Sequence, residues 1–233
     1  MRGGDQFLWV IYPYIVLTVF VGGHLYRIHT HPYSWTSRSS ELLEKRWLRW
    51  GSPLFHWGIL AVFLGHVGGL LVPKSVHEAL GLSDTVYHFL AVTVGGVAGL
   101  VTAIGAIILL IRRVGVPRVR HTSRTGDFVA IVLVCLVILS GMWATLWNSL
   151  GHTAFDYRET IGPWLRGVLT FQPDPSLMAT VPLPFKVHVL AAFSLFAVWP
   201  FTRLVHVFSL PLAYLWRSYV LYRRRHVKAV TKP

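Results

Sequence analysis

Five apolar runs divide this chain of 233 residues, at about residues 6–27, 52–72, 86–111, 127–147 and 185–207. Each approaches or exceeds the ~20 residues an α-helix needs to cross the hydrocarbon core of a bilayer. Lipid offers no hydrogen bonds, so a spanning segment must satisfy its own backbone, and runs of this length do so as helices. The pattern predicts an all-α membrane protein of five transmembrane helices, one integral membrane domain over residues 1–233 with a basic tail at 208–233. With 54% hydrophobic and 13% charged residues, the composition excludes an ordinary soluble domain. The first run lacks a small-residue cleavage site, and Tyr12, Pro13 and Tyr14 interrupt its apolar stretch, so it is expected to be a retained span. The segment 148–184, broken by Pro163, Pro173, Pro175, Pro182 and Pro184, is expected at the outer surface with Trp147 and Trp164 at the interface. It is either a lid over a site or a plain connector.

The formal charge of +13 is then an orientation signal rather than a sign of nucleic-acid binding. Arg27, Arg38, Lys45, Arg46 and Arg49 lie between the first two spans, and Arg112, Arg113, Arg118, Arg120 and Arg124 between the third and fourth. Arg203, Arg217, Arg223, Arg224, Arg225, Lys228 and Lys232 follow at the end, so seventeen of 22 basic residues share one side. The other side holds Arg2, Lys74, Arg158, Arg166 and Lys186 against Asp5, Glu78, Asp84, Asp156, Glu159 and Asp174. The positive-inside rule puts the N-terminus outside and the C-terminus in the cytoplasm. The tail from Trp216 to Arg225 suits either a membrane-surface anchor or a docking surface for a cytoplasmic partner.

Four histidines fall within two of the apolar runs, His56 and His66 in the second and His188 and His206 in the fifth. Ionisable rings inside a membrane are costly and mark function, and two pairs on two spans read as axial ligands of two haems. His188 and His206 are 18 residues apart, about 27 Å and five turns of helix, with Pro200 expected to kink the line between them. His56 and His66 are ten apart, about 15 Å. Because the two spans run antiparallel, His56 pairs with His206 on the inner side and His66 with His188 on the outer side. The single cysteine, Cys135, permits no internal disulfide, no iron–sulfur ligand set and no covalent haem attachment, so any haem is held as b-type haem is. Gly58, Gly65, Gly68 and Gly69 either make room for a porphyrin or let helices approach closely. His24 reads as interfacial; His29, His31, His77, His121, His152 and His226 read as solvated surface; His88 begins the third span on the outer side. A transporter with a histidine proton path and an anchor whose histidines only join helices are the alternatives to a dihaem cytochrome b. A transporter usually has acidic residues within its spans, and here only Asp127 stands at a span end.

The local wording narrows this further. Ile11-Tyr12-Pro13-Tyr14, Tyr33-Ser34-Trp35 followed by Arg38-Ser39-Ser40, SPLFHWGILAVFLGHVGGLLVP from Ser52 to Pro73, PRVR from Pro117 to Arg120, and PFTRLVHVFSLP from Pro200 to Pro211 closely resemble the gamma, cytochrome b subunit of membrane-bound respiratory nitrate reductase. The resemblance runs from about Asp5 to His226 and matches both histidine stretches in type, spacing and order. It implies five spans in the cell inner membrane, a dihaem helix bundle with two haem b, and the same two histidine pairs. It also implies quinol oxidation near the outer haem and electron delivery to an iron–sulfur (beta) subunit and a molybdenum (alpha) subunit that reduces nitrate. Gly65, His66, Gly69, Tyr87 and His88 are then the expected quinol contacts, and Arg112, Arg113 and Arg203 the expected inner propionate partners. One departure stands out: where the family's quinol pocket has a lysine near the start of the third span, this chain reads Thr85-Val86-Tyr87-His88. The same fold serving another redox complex, such as a nitrite oxidoreductase or a sulfur- or heterodisulfide-reducing system, is the nearest alternative.

Overall fold

The computed structural model describes residues 3–37, 39–150 and 155–209, and no strand occurs among them. The expectations for Arg2, Arg38, His152 and the tail beyond Ser209 lie outside the described residues. Five helices are long and apolar enough to cross a membrane: Gly4–Thr30, Arg46–Leu71, Asp84–Gly115, Thr125–Ser149 and Leu183–Phe201. The second begins six residues before the apolar run, because a formed helix gains one hydrogen bond for each residue added and continues through Arg46 and Arg49. Large apolar side chains such as Phe63, Leu64, Val94, Val97 and Leu100 remain exposed along the spans, the surface that lipid tails cover.

The fifth span departs from the helix, kinked at Pro200, expected to run to residue 207. Its α-helix covers Leu183–Val198, a 3₁₀ turn follows at Trp199–Phe201, Thr202 is extended, and a second 3₁₀ segment, Arg203–Ser209, carries His206. Pro200 removes one backbone donor and its ring crowds the preceding turn, so the helix breaks instead of merely bending. Arg27, at the end of the first span, meets the freed backbone. Its guanidinium donates to the carbonyls of Pro200 at 2.6 Å and Thr202 at 2.8 Å, and to the Ser34 hydroxyl and carbonyl at 2.9 Å each. Gly23 lets the two segments touch, since a Cβ there would stand 2.8 Å from Pro200.

The second span packs on the third, the third on the fourth, the fourth on the fifth and the fifth on the first. Glycine makes the tightest of these contacts. A Cβ on Gly58 would sit 2.5 Å from the Thr102 hydroxyl, and one on Gly105 would collide with the backbone of Phe55. The second and fifth spans, which carry the histidines, do not pack closely on each other.

At the end opposite the basic loops, residues 155–182 fold into a cap rather than an open strap. A helix at Ile161–Leu169 buries Trp164 and Val168 with Trp9, Met178 and Phe193. Trp164, expected at the membrane interface, is instead 1% exposed, and its indole donates to the Trp9 carbonyl at 2.8 Å. That carbonyl is available because Pro13, four residues on, has no N–H to offer it, and the chain from Phe7 to Ile11 widens into a π turn. Arg166 likewise donates to the Leu70 carbonyl, at 2.7 Å, where a second π turn, Val67–Leu71, ends the second span.

Candidate haem and quinol sites

The rings of His56 and His206 have centroids 6.2 Å apart, and those of His66 and His188 have centroids 6.0 Å apart. A metal–imidazole bond is about 2.0–2.1 Å and each ring centre lies about 1.1 Å behind its nitrogen, so two rings on opposite faces of one metal stand about 6.3 Å centre to centre. Both pairs fall close to that spacing, across elements that make few other contacts with each other.

Each ring is also prepared at its other nitrogen. The Nδ1 atoms face backbone carbonyls: His56 to Ser52 at 2.7 Å, His66 to Val62 at 2.8 Å, His188 to Val137 at 3.1 Å and His206 to Arg203 at 2.6 Å. A carbonyl only accepts, so Nδ1 carries the proton and Nε2 keeps its lone pair, the arrangement found in histidines that bind metal. Ser140 lies 3.1 Å from His188 Nδ1, and Gly141 gives that ring its space, a Cβ there being 2.9 Å from Cε1. Neither residue is distinguishable in the sequence from the small residues of any span.

The donor sets fit haem better than a bare ion. Among the described residues no three of His, Cys, Asp or Glu converge. A protein-only metal site needs three or four ligands, whereas a haem iron with four porphyrin nitrogens needs two. Gly65 and Gly68, next to His66, have no atom within 4 Å of a built Cβ, so a flat ring system can approach the backbone there.

The arginines divide in their tasks. Arg112 is 3% exposed and spends its guanidinium on the loop before the second span, donating to Glu44 Oε2 at 2.6 Å, to the Glu44 carbonyl, and to the Ser40 hydroxyl and carbonyl. Burial works against the Glu44 carboxylate, but the Trp47 N–H and Arg112 hold it below its ordinary range. Arg113 and Arg203 instead border a polar cavity at the basic end, with Ser40, Thr122, Ser123, Arg124 and Asp127. Asp127 lies 3.4 Å from Arg113.

At the opposite end the expected quinol contacts only partly converge. Gly69 faces the Tyr87 hydroxyl, 2.6 Å from where a Cβ would stand, while His88 is half-buried beside it in sequence. Two residues not expected there join them. Tyr157 pairs its hydroxyl with that of Tyr87 at 3.0 Å, and His77, only 7% exposed rather than solvated, sets its ring 5.0 Å from Tyr87. Burial and the Tyr87 hydroxyl push the Tyr157 phenol far above its ordinary range, so it stays protonated. Arg158 stacks its guanidinium 3.8 Å over the Tyr87 ring and pairs with Asp84 and Asp156 at 2.7 Å each. Lys74 reaches Glu159 at 2.6 Å and Asp84 at 3.0 Å, and these bonds raise its pKa. His24, expected at the interface, is likewise buried, among Phe20, Trp35 and Phe208.

A family model described as nitrate reductase gamma subunit matches residues 5–225. The nitrate reductase gamma chain of Bacillus subtilis is 51% identical over 220 residues, covering 94% of this chain and 98% of its own. The nitrate reductase-like protein NarX of Mycobacterium tuberculosis is 42% identical over 100% of this chain but only 36% of its own length. The respiratory nitrate reductase 1 gamma chain of Escherichia coli is 34% identical, covering 95% of this chain and 98% of its own. The chain belongs to the nitrate reductase gamma subunit family.

Proposed function

We propose that this protein is a dihaem cytochrome b that oxidises quinol at the end capped by residues 155–182 and passes the electrons to cytoplasmic partners. Those partners are an iron–sulfur (beta) subunit and, beyond it, a molybdenum (alpha) subunit that reduces nitrate. The carrying observation is the pair of matched histidine couples, 6.2 Å and 6.0 Å between centroids, each ring with Nδ1 on a backbone carbonyl. Bound haem b supplies reversible one-electron chemistry at two depths of the membrane.

The side chains then have separate duties. His56 and His206 hold the inner group, and His66 and His188 the outer one, as neutral imidazoles whose carbonyl bonds fix the tautomer and ring direction. Arg113 and Arg203 offer positive charge to inner propionates, whereas Arg112 holds the loop between the first two spans. Gly65, Gly69, Tyr87 and His88, beside His66, receive the quinol head. The basic end faces the cytoplasm by the positive-inside rule, with the N-terminus outside, in the cell inner membrane. A cationic surface beside the inner pair suits docking of the iron–sulfur subunit. A pyridine haemochrome assay on purified protein tests the reading: about two haems per polypeptide are expected, and a value near zero in folded protein would sink it.

A further inference from the structure

Quinol oxidation releases protons as well as electrons, and the four haem-ligand histidines cannot take them, because each is committed at both nitrogens. We propose that His77, reached through the Tyr87–Tyr157 hydroxyl pair, is the proton relay from quinol to the outer water. The proposal rests on the reading of this end as the quinol site.

Three observations converge on it. His77 is 93% buried, and of its two ring nitrogens only Nδ1 is both sealed from solvent and without a hydrogen-bond partner. A buried polar atom left without a partner is costly, and a role in catalysis or proton transfer is one of the few reasons a fold keeps one. Next, the ring stands 5.0 Å from that of Tyr87, whose hydroxyl meets that of Tyr157 at 3.0 Å. Both phenols pack against Gly69, three residues beyond His66, where a Cβ would lie 2.6 Å from the Tyr87 hydroxyl and 3.0 Å from the Tyr157 ring, so they stand beside the outer histidine couple. Finally, the phenols are fixed. Arg158 covers the Tyr87 ring at 3.8 Å and is itself held by Asp84 and Asp156.

The step balances as follows. Quinol becomes quinone by losing two electrons, which go to the outer haem one at a time, and two protons. Each proton passes from a quinol hydroxyl to a tyrosine hydroxyl as that hydroxyl gives its own proton to His77 Nδ1 through one bridging water. His77 then releases a proton from Nε2 to the outer side, which leaves the Nδ1–H tautomer, and a flip of the ring or exchange through water returns the proton to Nε2 before the second transfer. The charged groups around this path are Lys74 and Glu78 on the His77 helix, Asp84 at the start of the third span, and Asp156, Arg158 and Glu159 in the cap. Three of these four carboxylates are poorer acceptors because they are ion-paired. Asp84, Asp156 and Glu159 are all taken up by Lys74 or Arg158, and Asp156, though burial opposes it, is held below its ordinary range by Arg158 and Lys74.

The test uses the intact complex with its soluble subunits. His77→Gln should retain both haems and the subunits, and should still reduce nitrate from a reduced viologen dye, which delivers electrons without protons. Its quinol-driven haem reduction, followed by stopped-flow absorbance, should slow at least about a hundredfold, the lower reach of general acid–base effects. Added imidazole should restore part of the rate. Tyr157→Phe, which removes one hydroxyl and little volume, should slow the same phase and serves if His77→Gln does not assemble. Wild-type rates and an unchanged pH profile in the assembled variants overturn the relay. A wild-type complex whose haems quinol does not reduce overturns the underlying functional reading instead.

Discussion

Replacing Gly141 by alanine puts a methyl group 2.9 Å from His188 Cε1 and 3.2 Å from its Nδ1. Ordinary carbon contacts lie at about 3.5–4.0 Å, so the ring must retreat by roughly 0.5–1 Å. That movement exceeds the ~0.2 Å tolerance of a metal–ligand distance. It also stretches the 3.1 Å contacts that Nδ1 makes with Val137 and Ser140. Overpacking of this kind costs about 1–3 kcal/mol, or roughly a 5- to 150-fold loss of outer haem affinity at tenfold per 1.4 kcal/mol. Optical redox titration of purified Gly141→Ala should show the outer haem partly lost or shifted in potential, with the inner haem unchanged. Gly95→Ala, where no atom lies within 4 Å, is the matched control and should behave as wild type. Full outer-haem occupancy at the wild-type potential in Gly141→Ala would refute the argument that Gly141 sets the position of a ligand.

Two further outcomes follow from the basic end. Arg27→Ala releases the Pro200 and Thr202 carbonyls and should loosen the segment bearing His206, shifting the inner-haem potential while the outer haem is unaffected; Arg27→Lys should recover part of the shift. Glu44 has its folded pKa depressed, so its contribution to stability is present at neutral pH and is lost as pH falls through the folded value. Thermal unfolding of wild type should therefore lose more stability than Glu44→Gln on acidification below the ordinary carboxylate range, and about 1–3 kcal/mol should separate the two at pH 7.

The spans and the histidine pairing were legible because both depend on local pattern: apolar length for the helices, and residue order on antiparallel helices for the couples. What escaped depends on contacts distant in sequence. Trp164 looks like an interfacial anchor until the Trp9 carbonyl, freed by Pro13, is brought to its indole. Arg27 looks like one more topology charge until Pro200 breaks the fifth helix beside it. Pro200 signals a kink, but not that Thr202 becomes extended and His206 sits on a 3₁₀ segment, because that outcome needs Arg27 to satisfy the exposed carbonyls. His77 reads as surface from its short polar loop, and its burial comes with the Tyr87 ring packed beside it, a residue ten positions on. Gly141 and Ser140 carry no signal at all, since small residues occur throughout these spans.

The pairing of the histidines carries the functional account, and single substitutions test it most directly. Low-temperature redox spectra of His56→Ala, His66→Ala, His188→Ala and His206→Ala should sort into two classes. The account predicts that His66→Ala and His188→Ala lose one haem signal and His56→Ala and His206→Ala lose the other. Loss of the same signal in His66→Ala and His206→Ala would contradict it.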